Sequence, residues 1–157
     1  MLSPIKRIEA DLKTAMLAKD TLRLSVLRML KSALKNQEID LKREVSEIEF
    51  LETLTKLVKQ RQDSVSQFEK AGRSDMAQAE QGEIAMLQVY LPKAMDENEL
   101  NSLIAETLKD LKATGPSDMG KVMAALKDAT RGRVDGKVLS EKVSVLLRSL
   151  GASQNKT

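Results

Sequence analysis

The sequence predicts an all-α protein. Its only aromatic residues are Phe50, Phe68 and Tyr90 among 157 residues, so the core must be built from Leu, Ile, Val, Met and Ala. Apart from Val and Ile these are good helix formers, and no segment shows the sustained period-2 alternation of a strand. Helix-start signatures also recur ahead of apolar runs spaced i, i+3, i+4.

Each element has its own signal. Ser3-Pro4 reads as an N-cap with proline at the first helical position, opening a helix to about Ala18. Asp20 can cap a second, longer helix to about Leu41. Ser46 with Glu49 fits a capping box, in which serine and glutamate satisfy each other's free backbone N–H groups. That third helix runs to about Ala71, where Gly72 supplies a left-handed stop. Ser74 or Asp75 starts a fourth, ending near Tyr90 because Leu91 precedes Pro92.

Pro92 to Met95 is the best linker, giving an N-terminal domain over 1–93 and a three-helix tail over 96–150. Asp96 and Glu99 form a second capping box, followed by Leu100, Leu103, Ile104, Leu108 and Leu111 on one narrow face. Gly115-Pro116-Ser117 breaks that helix and caps the next, where Met119, Val122, Met123 and Leu126 share a face. Asp135 opens a last helix with Leu139, Val143, Leu146, Leu147 and Leu150 inward. Gly151 is expected to stop it, leaving 151–157 as a disordered tail.

Composition excludes several chemistries. With neither histidine nor cysteine there is no Ser-His-Asp or Cys-His nucleophile system, and disulfides are impossible. Zinc sites lose their usual ligands as well. Gly120-Lys121 has no glycine-rich loop before it, so it is not a nucleotide-binding loop. Glu80 and Glu83 lie three apart on one helix face, a spacing open to a metal pair or to a solvated acidic face. The expectation is no catalytic residue, no metal and no cofactor. No apolar run approaches the roughly 20 residues of a membrane span. The first residues mix acids and bases at helical spacing, unlike a signal or transit peptide. These readings predict a soluble cytoplasmic protein without a membrane partner.

The net charge of +3 is unevenly placed: residues 1–43 carry 10 basic and 5 acidic side chains, and residues 117–157 carry 8 and 4. On the second helix Arg28, Lys31, Lys35 and Lys42 fall within about 60° of one another at 100° per residue. Leu24 and Ile39 lie beside this stripe as further docking candidates. In the tail, Lys121 lies opposite the apolar face of its helix. The turn Arg131-Gly132-Arg133-Val134-Asp135-Gly136, followed by Lys137, sets two arginines about a glycine. Arginines on such a turn can fork onto phosphate oxygens. Both sets read equally as solvated surface. The candidate RNA-binding residues are therefore Arg28, Lys31, Lys35, Lys121, Arg131, Arg133 and Lys137. With so few rings a stacking platform for single strands cannot be built, so any RNA must be folded and read by backbone and shape.

The segment SDMGKVMAALKDATRGRVDGKVLSEKVSVLL (117–147) resembles the tail domain at the C-terminus of the GatB subunit of glutamine-dependent aminoacyl-tRNA amidotransferases. Together with RLSVLRMLKSALKN (23–36) and KQRQDSVSQFEKAGRSDMAQAEQGEIAMLQVYLP (59–92), it is similar to the YqeY family of small bacterial proteins. The resemblance implies a helical N-terminal part followed by a three-helix tail, related to the part of GatB that contacts tRNA. The Ser-Ser-Lys arrangement of the amidase half is missing.

Three functional readings follow. One is a non-catalytic accessory protein that binds tRNA or another folded RNA, with no DNA expected. Another is a protein-interaction module docking a partner through exposed apolar positions. The third, a contribution to carbon–nitrogen ligase activity with glutamine as amido donor, rests on family analogy only.

Overall fold

The computed structural model describes residues 2–154, the side chain of Gln154 excepted, and among them every regular element is helical. The helices are α1 (Pro4–Leu17), α2 (Thr21–Leu41), α3 (Glu47–Lys70), α4 (Ser74–Gln88), α5 (Glu97–Asp110), α6 (Met119–Thr130) and α7 (Gly136–Gln154). A 3-10 turn, Pro116–Asp118, precedes α6. The chain forms two compact units that divide between Pro92 and Lys93.

Local chemistry sets most of the helix ends in the first unit. The Asp20 carboxylate accepts from the Arg23 N–H at 3.1 Å and opens α2. Ser46 and Glu49 form the reciprocal capping box of α3, with bonds of 3.2 Å to the serine hydroxyl and 2.9 Å to the carboxylate. Arg43 also grips Glu49 through two nitrogens, at 2.9 and 2.7 Å. That grip, with the Ser46 N–H behind it, lowers the carboxyl pKa to about 2. After α3, Gly72 adopts φ 71°, a left-handed conformation that costs a residue without Cβ little.

α1 packs on α2 and α3 packs on α4, with α2 also touching α4. The core they enclose is led by Ile8, Leu30, Leu34, Phe50, Leu54 and Leu87, all at 0% exposure. Phe50 is its one fully buried ring. Tyr90 meets it edge-on, with ring centroids 6.0 Å apart and planes at 64°. The Arg7 guanidinium lies 5.1 Å from the ring centroid on α1. Arg7 pairs onward with Glu47 at the start of α3, and the Tyr90 hydroxyl donates to Asp11 of α1. Burial, reinforced by that acceptor carboxylate, raises the Tyr90 pKa, so the phenol stays protonated. Leu24 of α2, expected as a docking position, packs half-buried against this core, whereas Ile39 is 71% exposed.

The second unit has its own core of Leu100, Ile104, Val122, Leu126, Leu139, Val143 and Leu147. Leu146 belongs outside it at 38% exposure, a correction to its expected inward position. The other correction concerns Gly151. It does not stop α7, which continues to Gln154, so residues 151–154 are helical. A Cβ at Gly151 would sit 3.2 Å from Cδ of Pro116 and 3.8 Å from Cα of Gly115, so this glycine serves close approach to the turn before α6. Residues 155–157 of the expected disordered tail lie outside the described residues.

Because the folded Glu49 pKa is depressed, its contribution to stability is complete above the unfolded value of 4.5 and is lost as pH falls from there to about 2. Urea midpoints measured across that window should fall for the native chain. Glu49→Gln, which keeps a capping partner but cannot titrate, should flatten that part of the profile. An unchanged slope in the variant would show that other carboxylates set it.

Candidate nucleic-acid interface

The tail arginines are not displayed on a solvated loop. α6 ends at Thr130, and Gly132 turns the chain at φ 71°. Arg131 is only 14% exposed along its side chain and pairs with Asp128 one turn back at 3.0 Å. Arg133 is 28% exposed and makes a compound tie. Its Nε donates to the Lys93 carbonyl at 2.9 Å, and one terminal nitrogen reaches both oxygens of Glu99 at 3.0 and 3.2 Å. The backbone completes it, because the Met95 N–H donates to the Arg133 carbonyl at 3.0 Å. One side chain thus fastens the segment before α5 and the first turn of α5 to the α6–α7 turn. Glu99 is spent on this tie. Asp96 still caps α5 by accepting from the Glu99 N–H at 2.7 Å.

The lysines of the tail behave differently. Lys121 is exposed on α6, and its ammonium donates to the Leu111 carbonyl at 3.2 Å, at the C-terminal end of α5 where carbonyls lack helical partners. Beneath it the Asp118 carboxylate turns back to accept from Thr114 and Gly115 N–H at 2.7 and 3.3 Å, which lowers its pKa. Asp118, not Ser117, therefore organises the entry to α6. Lys137 is exposed in the first turn of α7, where Asp135 accepts from its backbone N–H at 2.7 Å. Lys109, Lys112 and Lys127, passed over by motif reading, are exposed on the same unit.

The α2 stripe is split as well. Lys31 is paired with Glu9 of α1 at 3.1 Å, while Arg28 and Lys35 are exposed. The structure thus groups Lys121, Arg131, Arg133 and Lys137 on one unit and Arg28, Lys31 and Lys35 on the other. Glu83 is engaged by Arg61 at 2.9 Å, which favours an ion pair over a metal ligand at Glu80 and Glu83. Among the described residues no group of three or more acidic side chains is arranged to hold a metal ion, and no helix is long and apolar enough to cross a membrane.

An all-helical protein of two small units, the second holding a structural arginine tie and, elsewhere on its surface, exposed lysines, is the class these features define. The chain belongs to the YqeY family: the family model described as "Yqey-like protein" matches residues 5–147. Its curated relatives include the protein named "Altered inheritance of mitochondria protein 41, mitochondrial". The Lachancea thermotolerans form is 36% identical over 139 residues, covering 87% of this chain and 71% of that protein. The Kluyveromyces lactis form is 40% identical over 117 residues, 72% of this chain and 63% of that protein. The Saccharomyces cerevisiae form is 32% identical over 136 residues, 86% of this chain and 72% of that protein. These relatives overturn the cytoplasmic expectation, because each is named as mitochondrial. That expectation rested on the lengths of the apolar runs and on the charge pattern of the first residues, neither of which fixes a compartment.

Removing the Arg133 tie should loosen the segment ahead of α5. Charge-assisted hydrogen bonds at this exposure contribute about 1–2 kcal/mol, so Arg133→Ala should raise the locally open population roughly five- to thirtyfold. Tryptic cleavage after Lys93 should accelerate accordingly, with Arg133→Lys intermediate because an ammonium cannot fork. Unchanged cleavage would mean the tie is incidental.

Proposed function

We propose that the protein is a non-catalytic accessory that binds folded RNA, tRNA first among candidates, through the lysines of its C-terminal unit. The observation that carries this reading is the likeness of residues 117–147 to a tRNA-contacting tail, in a segment whose fold leaves Lys121 and Lys137 exposed. Arg131 and Arg133 hold the α6–α7 turn that leads into Lys137, adding positive potential without projecting far into solvent. Recognition is of phosphates and helical shape, because the unit contains no aromatic side chain on which a base could stack. Lysine contacts of this kind position an RNA and carry little sequence preference.

Binding of total tRNA to the full chain should weaken steeply with salt, with a log–log slope of about −0.9 per neutralised phosphate in a duplex region. Lys121→Ala and Lys137→Ala should each reduce the slope by about one, with the helical circular dichroism signal intact. Substituting Arg131 or Arg133 should weaken binding together with the thermal stability of the unit. Absence of tRNA binding at low salt would overturn the proposal and favour protein docking around Ile39.

A further inference from the structure

We propose that the outward face of α1 and the α1–α2 turn dock on an anionic lipid surface. The core side of α1 is satisfied by Ile5, Ile8 and Ala15. On its other side Lys6, Ala10, Lys13 and Leu17 follow one another at spacings of four, three and four, so they form one line along the helix. All four are exposed, and Leu17 is 87% exposed, the highest value of any large apolar side chain in the described residues. Met16 beside it is 58% exposed, and Leu22, just past the turn, is 45% exposed. Lys13 and Lys19 flank this apolar tip, with Lys19 held in the left-handed conformation at φ 55°. At the other end of the line Leu2 is 55% exposed.

The charge of this face is mainly positive, since Asp20 in the turn is paired with Arg23 at 3.3 Å. A shallow groove of about 620 Å³ runs beside the line, lined among others by Leu2, Lys6, Glu9, Lys13, Met16 and Lys31. Its single carboxylate, Glu9, is matched by Lys31 at 3.1 Å. Lys6, Lys13 and Lys19 have no carboxylate partner among the described residues. Arg28 and Lys35 add exposed positive charge on α2, the helix packed against α1.

Cations alone would suit any polyanion. The apolar side chains between them select one kind. A phosphate backbone gives Leu17, Met16 and Leu22 nothing to bury against, whereas the boundary of headgroup and acyl chain takes apolar side chains to a depth of about 5–10 Å. Lysines on the rim lay their methylene stems along that boundary and keep their ammonium groups among anionic headgroups. The face thus combines an apolar tip with a cationic surround on one rigid helix pair. It uses none of the tail lysines, so it stands or falls apart from the RNA reading.

The chain has no tryptophan, so Leu17→Trp places a single reporter at the tip of the full-length protein. Adding phosphatidylcholine–phosphatidylserine vesicles should shift its emission to the blue, and pure phosphatidylcholine vesicles should not. Val89→Trp, on another exposed apolar position of the same unit, should not shift with either. In vesicle sedimentation at low salt, Lys6→Gln and Lys13→Gln should each weaken partitioning roughly fivefold. Met16→Ser should weaken it without changing its salt dependence. An unshifted Leu17→Trp, or an equal shift with uncharged vesicles, would overturn the proposal. So would loss of tRNA binding, in place of vesicle binding, in the Lys6→Gln Lys13→Gln variant, because the face would then serve RNA.

Discussion

The first unit depends on one buried ring. A chain with three aromatic residues cannot spread its large side chains through a core, and Phe50 alone among them is fully buried. Everything around it is arranged to use both its face and its edge. The guanidinium of Arg7 sits over the face and ties α1 to the start of α3 through Glu47. Tyr90 meets it at an angle, then hands its hydroxyl to Asp11 on α1. Residues 79 positions apart are thereby joined, closing the four-helix unit end to end. Aromatic and cation–ring contacts of this sort contribute about 0.5–1.5 kcal/mol each beyond area burial. Their larger effect here is to define which helix faces meet.

In the second unit the corresponding constraint is polar. Arg133 holds a carbonyl before α5 and a carboxylate in its first turn, and so converts the α6–α7 turn into a fixed corner. A unit of this size buries limited apolar surface, which makes such ties consequential. The same division of labour recurs on both units. Charged groups that bridge helices, Lys31 and Arg133 among them, are engaged by carboxylates, while Lys121, Lys137, Arg28 and Lys35 stay outside these carboxylate pairs. Candidate binding chemistry therefore falls to the residues that none of these carboxylates engages, Lys121 among them although its ammonium also reaches the Leu111 carbonyl. Sequence position alone does not distinguish the two sets.

Much of the fold was legible because it is locally encoded. The caps at Asp20, Ser46 and Asp96 and the stop at Gly72 each need only residues within a turn of one another. Gly151 was misread because a stop and a close approach make the same demand, a missing Cβ, and the atoms it approaches belong to Gly115 and Pro116. Leu24 and Leu146 exchanged their expected roles because helical periodicity gives a face and not its width. The site was legible in composition and less so in geometry. Nothing near Arg133 in sequence announces Glu99, which lies 34 residues away, or the Lys93 carbonyl at 40. A glutamate at the third helical position reads as a capping partner until a distant arginine competes for it.

The central claim is that Phe50 organises the first unit while the second stands on its own core. Hydrogen exchange on the full chain carrying Phe50→Ala tests it most directly. Truncating a fully buried phenylalanine costs about 3–5 kcal/mol, so protection across α1 to α4 should fall by an amount of that size. Protection of Leu100, Ile104, Val122 and Val143 in the second core should be unchanged. A loss below about 1 kcal/mol in the first unit, within the range of an ordinary substitution, would contradict the account. An equal loss in both units would contradict it as well.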